Sequence, residues 1–407
     1  MNTTVLNTNL SRGLAIVGRA VAGSTTLPVL GHVRIQAVNG ASNSGKLSNS
    51  ASLPEFESST QQVHLAATDL ELSIACQIAA KVAEAGAVAL PARTLTDLIG
   101  TLGETVALQG EQKIKLASGG VASSLKGLDA ADFPDVFGSD GEYEAVLPAA
   151  LLLEMAARTA FAAATDEIRP ALKGVLFRIA DDRLTMASAD GFRLSVCTAA
   201  ARVGKAISVI VPARAMSELL RVAKDETQPI RFSVNLARTR AAFHVAGGAG
   251  VNETVLGIDL ITQLVEGDFP DFEPIIPKTA TTRVTVEAGA LLEAVKTADI
   301  FARDNNHIVT LTIANGVADA AGQMIIKGAR AEVGEGVTTL DIVVEGEPSG
   351  QVHPTEIAFN ARFLIEALKI VEGPVTLGLN GSGSPIALRT VADPDGFVHV
   401  IMPMAKR

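Results

Sequence analysis

Three stretches place apolar residues in one shared pattern: "LPARTLTDLIGTL" from Leu90, "VPARAMSELLRVA" from Val211 and "FNARFLIEALKIV" from Phe359. Each reads as an apolar residue, Pro or Asn, Ala-Arg, and then apolar positions at helical spacing. That predicts a strand end, a cap or first-turn Pro, and a helix. A second family joins a short strand to a helix: "TTVLNTNLSRGLAIVGRAV" near Val5, "EAVLPAALLLEMAARTAF" near Val146 and "VTVEAGALLEAVKTADIF" near Val286. These valines are 141 and 140 residues apart. Segments such as "VHLAATDLELSIACQI" and "RLTMASADGFRLSVCTA" alternate apolar with polar residues and predict half-buried antiparallel strands. Each copy therefore reads strand, helix, several strands, twice over, and the chain holds three copies. The expectation is an α+β protein of three tandem domains, at 1–142, 143–277 and 278–407.

The tetrapeptide Asp-Phe-Pro-Asp stands at 132–135 and again at 268–271, each time after the last strand of one copy and before the first of the next. There Phe can plug a core and Pro can stiffen the connection. The stretch 39–60, rich in Ser, Asn and Gly, departs from the repeat and reads as a flexible surface insertion in a hairpin. Within it, "GASNSGKL" matches a phosphate-loop pattern but puts Leu47 where Ser or Thr should hold magnesium. No apolar-periodic helix follows to supply an anion-binding end, so no nucleotide site is expected.

Composition narrows the function. Hydrophobic residues make up 48% of the 407, yet no apolar run approaches the ~20 residues of a membrane helix. The N-terminus lacks a basic start followed by an apolar stretch, so a soluble cytoplasmic protein is expected. Cys76 and Cys197 each end an alternating stretch and read as buried strand thiols. The six histidines form no close pair, and no metal or other cofactor is implied.

The net charge of −10 looks wrong for a nucleic-acid protein until the signs are sorted by element. The six repeated helices carry eleven basic residues: Arg12, Arg19, Arg93, Arg158, Arg214, Arg221, Lys224, Lys296, Arg303, Arg362 and Lys369. Against them stand seven acidic ones: Asp97, Glu154, Glu218, Glu287, Glu293, Asp299 and Glu366. The acidic excess thus belongs to strands and loops, and a surface lined by the helices would attract a polyanion. One Tyr and no Trp leave little to stack on bases, so the contact would be with backbone, independent of sequence.

Together these features resemble the bacterial sliding clamp, the beta subunit of DNA polymerase III. The carriers are "TLPVLGHVRIQA" (26–37), "AATDLELSI" (66–74), "LKGVLFRI" (172–179), "ASADGFRLSV" (187–196), "VIVPAR" (209–214), "VEGDFPDFEPIIP" (265–277) and "VHVIMPMAKR" (398–407). Their order and spacing span nearly the whole chain outside 39–60. The resemblance implies three DNA-clamp (processivity-fold) domains per chain and two chains closing into a six-domain ring. Helices would line the hole around double-stranded DNA, with antiparallel sheets outside. It implies a non-enzymatic tether, and a groove where the DNA polymerase III catalytic subunit, the clamp loader and other clamp-binding-motif proteins dock an apolar peptide.

Positions matching that groove are Leu172, Ala189, Gly191, Phe192, Arg193, Leu194, Pro270, Ile275, Val400, Met402, Pro403 and Met404, with Asn360 and Phe363 on the neighbouring helix. Met and Leu would give an adaptable apolar surface, and Arg193 would orient a polar group of the partner. The chain departs from the family with Phe192 in place of His, Pro274 in place of Arg, and Ala405, Lys406 and Arg407 added after Met-Pro-Met. Ser24-Thr25 replaces a DNA-contacting Arg, and Pro170-Ala171 an aromatic pair. Arg169, Arg202 and Lys205 are added as loop-side DNA candidates.

Three repeats leave two unlike ends, which predicts a head-to-tail homodimer. The edge 113–126, with Lys113, Lys115, Ser123 and Lys126, carries only basic charges. It should meet Ile300, Phe301, Glu332 and Glu335 of a second copy. Two other readings remain. An enzyme could use Asp190 and Arg193 near His244, but no nucleophile with a base and no paired carboxylates accompany them. A repeat-built peptide-binding scaffold without DNA encirclement is the other, and the helix charges weigh against it.

Overall fold

The structure, a computed structural model, describes residues 1–39, 61–134, 141–201, 205–247, 255–314, 320–330, 332, 334–345 and 355–405. The phosphate-loop look-alike, nearly all of the insertion, and Arg202 lie outside the described residues.

The first copy runs β1 (Asn2–Leu6), α1 (Asn7–Val17), β2 (His32–Val38), β3 (Gln62–Thr68), β4 (Leu72–Glu84), β5 (Gly86–Pro91), α2 (Ala92–Ile99), β6 (Thr105–Gly110), β7 (Lys113–Ser118) and β8 (Val121–Lys126). The second runs β9 (Gly141–Leu147), α3 (Ala149–Ala160), β10 (Gly174–Ala180), β11 (Arg183–Ala189), β12 (Arg193–Ala200), β13 (Ile207–Pro212), α4 (Ala213–Val222), β14 (Ile230–Asn235), β15 (Arg240–Ala246) and β16 (Val255–Gln263). The third runs β17 (Thr282–Glu287), α5 (Ala288–Ala302), β18 (Ile308–Ala314), β19 (Ala320–Arg330), β20 (Gly334–Glu345), β21 (Thr355–Asn360), α6 (Ala361–Leu368), β22 (Pro374–Leu379), β23 (Ile386–Thr390) and β24 (Phe397–Ile401). Each copy is strand, helix, three strands, twice, and all six helices fall where the apolar spacing puts them.

The local chemistry follows the pattern. In β2 every second residue is buried, and α5 buries Leu291, Ala294, Val295, Ala298 and Ala302 along one stripe. Asn360 caps α6, its side chain accepting from the Arg362 N–H at 2.9 Å. Pro91 offers no such bond and serves only to end its strand.

Contacts divide the chain into two units. The first comprises Met1–Glu154, Val203–Lys205 and Arg214–Val265; the second comprises Met155–Arg202, Ala206–Ala213 and Glu266–Arg407. Each unit holds a twelve-stranded antiparallel sheet. In the first, β16 of the middle copy pairs with β4; in the second, β24 pairs with β12 of the middle copy. The middle copy is divided because its strands complete two different sheets.

Both Asp-Phe-Pro-Asp segments plug apolar clusters as expected. Phe133 packs with Val29, Leu30, Ala66 and Ala89, and Phe269 packs on the cluster of Leu176, Leu194, Val196, Phe272 and Val400. Cys76 and Cys197 are buried and form no disulfide, and burial pushes the Cys76 thiol up to about 12, which leaves it unreactive. Among the described residues no helix is long and apolar enough to cross a membrane.

Candidate functional site

All residues of the predicted groove lie in the second unit. β11 turns into β12 through Asp190, Gly191 and Phe192. Asp190 Oδ1 accepts from the backbone N–H groups of Phe192 at 2.9 Å and Arg193 at 3.0 Å, which fixes the turn. Gly191 takes φ +91°, and a Cβ there would lie 2.5 Å from the Arg169 guanidinium. Arg169 in turn donates to the Asp190 carbonyl at 2.8 Å. The turn leaves Phe192 59% exposed, its ring stacked on Phe363 at 6.4 Å between centroids.

Arg193 is held by several neighbours. Its side chain is only 9% exposed and pairs with Asp190 Oδ2 at 3.0 Å. Nη2 donates to the Phe161 carbonyl at 2.8 Å, and Nη1 pairs with Glu366. The guanidinium also sits over the rings of Phe161 and Phe363, at 5.4 and 4.8 Å. Three of its five N–H groups are thereby engaged, and Arg193 ties the turn to α6 and to the end of α3, and so positions Phe192 and Phe363.

Beneath this lies His399 on β24, fully buried, with Nδ1 3.1 Å from Ser195 Oγ. Burial, and secondarily the Arg193 charge, push His399 down to about 3. The unfolded chain accepts that proton near pH 6.5. Between the two values the unfolded state binds more protons, so stability falls as the pH is lowered, by up to about 1.4 kcal/mol per pH unit. His64, also lowered chiefly by burial, acts in the same direction. Thermal midpoints taken from pH 7 to 4 should drop, and drop less steeply in His399→Phe; equal slopes would remove His399 from the cause.

Of the residues predicted for the groove, Leu172, Leu194 and Val400 are buried and would form its floor. Ala189, Phe269 and Ile276 pack on the same cluster. The tail closes one side: the Met402 N–H donates to the Phe192 carbonyl and the Met404 N–H to the Ala358 carbonyl on β21, both at 2.8 Å. Met402, Pro403, Met404, Asn360 and Phe363 are half-buried, whereas Phe192, Pro270 and Ile275 are exposed. A ligand would meet the exposed and half-buried set, not the floor. Phe161, Glu366, Phe272 and Ile276 were not foreseen; only the second aromatic in "DFPDF" hinted at Phe272.

The basic residues divide in two. Arg93, Lys205, Lys224, Arg362 and Lys369 are exposed and form no ion pair among the described residues. Arg19 and Arg221 share Glu218, at 3.2 and 2.5 Å, Arg214 pairs with Asp69 at 2.5 Å, and Lys296 with Glu293 at 2.7 Å. Arg12 is half-buried. Arg158, a DNA candidate from the sequence, is half-buried, with its guanidinium 5.4 Å above the buried Phe397 ring. Arg169 is exposed and also braces the Asp190 turn. Between α5 and α6 runs a cleft of about 540 Å³ bordered by Lys296, Arg303, Arg362 and Lys369.

The predicted interface residues lie on the β7–β8 hairpin of the first unit and on α5 and the β19–β20 hairpin of the second. β8 pairs only with β7, leaving Lys113, Lys115 and Lys126 exposed and Ser123 half-buried. β20 pairs along its length with β19, and with β17 only at 343–345. Ile300 is 57% exposed, Glu332 is exposed, and Phe301 packs on Gly336, where a Cβ would lie 2.5 Å from the ring. Glu335 pairs with Lys327 of its own chain.

Models of the three domains of the DNA polymerase III beta subunit match consecutive stretches of the chain. The N-terminal domain matches at 55–137, the central domain at 146–271 and the C-terminal domain at 273–405. The chain is 28% identical over 394 residues to the beta sliding clamp of Chlamydia muridarum, covering 95% of this chain and 94% of that one. It is 28% identical over 415 residues to the beta sliding clamp of Escherichia coli K12, covering 99% and 100%. The fold matches the beta subunit from DNA polymerase of Streptococcus pyogenes, with TM-score 0.85 at 22% identity. It also matches the DNA polymerase sliding clamp of Bacillus subtilis, with TM-score 0.84 at 23% identity. Each structural match covers 100% of both chains.

Proposed function

The chain belongs to the DNA polymerase III beta subunit family, and from that membership we propose that two copies close head to tail into a ring that encircles double-stranded DNA and tethers the replicative polymerase. The supporting observation is the way copies pair. The last strand of the second copy, β16, pairs with β4, and the last strand of the third, β24, pairs with β12. Two positions in this scheme stay unfilled: β20, which occupies in the third copy the place of β4 and β12, and β8, the last strand of the first. Among the described residues, 334–342 of β20 pair only with β19 and β8 pairs only with β7, so each has one edge open. A second chain fills both, so six domains, bounded at 1–142, 143–277 and 278–407, close through joints of one kind.

The free cations of the helices then face phosphate without reading bases, and weak nonspecific contact lets the ring slide. Processivity comes from effective concentration, not from grip. The protein acts without catalysis in the cytoplasm: Asp190 and Arg193 are spent on their turn, and His244 pairs with Asp259 at 2.7 Å. The groove receives the apolar peptide motifs of the DNA polymerase III catalytic subunit, the clamp loader and other clamp-binding proteins. After loading, the ring should stay on closed circular DNA and leave within seconds of linearisation, and Lys224→Glu with Arg362→Glu should impair loading. Equal retention on both DNA forms refutes encirclement.

A further inference from the structure

The sheet face that carries Val400 continues into a second, basic cleft. Val400 stands opposite Ala387, Ala387 opposite Gly378, and Gly378 opposite Arg283. Residues paired across antiparallel strands share a face. Ala387, Gly378 and Arg283, together with Lys278, Arg389 and Asp395, border a cleft of about 360 Å³. Its floor is open because the side chains are small: a Cβ on Gly378 would lie 3.2 Å from Ala280.

The charge is unusual for its place. Strands and loops hold the acidic excess of the chain, yet here three cations face a single carboxylate, Asp395. Lys278, Arg283 and Arg389 form no ion pair among the described residues, and Arg389 spends one N–H on the Pro394 carbonyl at 2.7 Å. A neighbouring cleft of about 500 Å³ offers a contrast: there Asp181 and Glu273 offset Arg178 and Arg183, and Arg178 already has Glu273 at 3.6 Å.

We propose that the Lys278–Arg283–Arg389 cleft receives acidic side chains of the partner segment that flanks a peptide docked in the groove; the inference rests on the groove reading above. Ala387 is the direct ladder neighbour of Val400, so the cleft begins about 5 Å from the groove floor. Two or three extended residues cover that distance. A chain leaving the groove therefore meets the cations before it meets bulk solvent, and its Asp or Glu residues complement them.

The test uses the full chain and two synthetic peptides with the same Leu and Phe anchors, one flanked on both sides by short Asp/Glu runs and the other by Ser/Gly runs. The acidic peptide should bind about tenfold more tightly at low salt. That advantage should vanish at high salt, and also in Lys278→Ser/Arg283→Ser, whose affinity for the Ser/Gly peptide should be unchanged. Equal affinity of the two peptides for the natural sequence, or an acidic advantage that survives the double substitution, overturns the assignment. If the Ser/Gly peptide fails to bind at all, the groove reading itself falls, and the cleft assignment falls with it.

Discussion

The Ile300→Asp chain will sediment as a monomer at micromolar concentration, where the natural sequence sediments as a dimer. Ile300 is 57% exposed, as are Val337 and Val343 of β20 to similar degrees, and Val121 on β8 is the apolar residue offered from the opposite edge. A ring of two identical chains has two identical joints, so one substitution acts twice. Burying an unpaired carboxylate costs about 3 kcal/mol at each joint, which raises the dimer Kd by about four orders of magnitude. Ile168→Asp is the control, at a site 84% exposed in a loop away from either edge strand in sequence, and it should remain dimeric. A dimer of Ile300→Asp as tight as the natural one would place the joint elsewhere, and a monomeric natural chain would remove the ring.

The helices and the strand–helix order were legible because they depend on local spacing, such as Leu291, Val295 and Ala298 on one stripe of α5. The role of Asp-Phe-Pro-Asp was legible for a similar reason: Phe133 and Phe269 need only reach the nearest apolar surface. Pairing at long range was not legible. Glu366 lies 173 residues from Arg193, so nothing near "ADGFRL" announces that the guanidinium is already engaged. The helix charge count set Glu218 against the cations but could not show that it holds both Arg19 and Arg221. The division of the middle copy between two sheets also escaped the repeat, since β16 looks the same whether it closes its own copy or completes the sheet of another.

Deleting Met402 through Arg407 will abolish binding of a peptide with Leu and Phe anchors while leaving the dimer intact. The deletion removes the N–H groups that hold the tail to the Phe192 and Ala358 carbonyls, together with the half-buried Met402, Pro403 and Met404. Losing two such apolar contacts from a docked ligand costs about 3 kcal/mol, more than a hundredfold in Kd. The chain should still fold, because β24 ends at Ile401, which stays paired with Arg193, and neither β8 nor β20 is altered. Phe192→His is the companion measurement. It replaces the ring stacked on Phe363, so affinity should change by about 1 kcal/mol. Its sign tells whether that stack greets the ligand's aromatic side chain or must part to admit it. Titration calorimetry on the three chains separates the cases: unchanged binding by the truncated chain would make the tail merely a cover for β21 and move the docking site, whereas lost binding with an intact dimer assigns the tail to the groove wall.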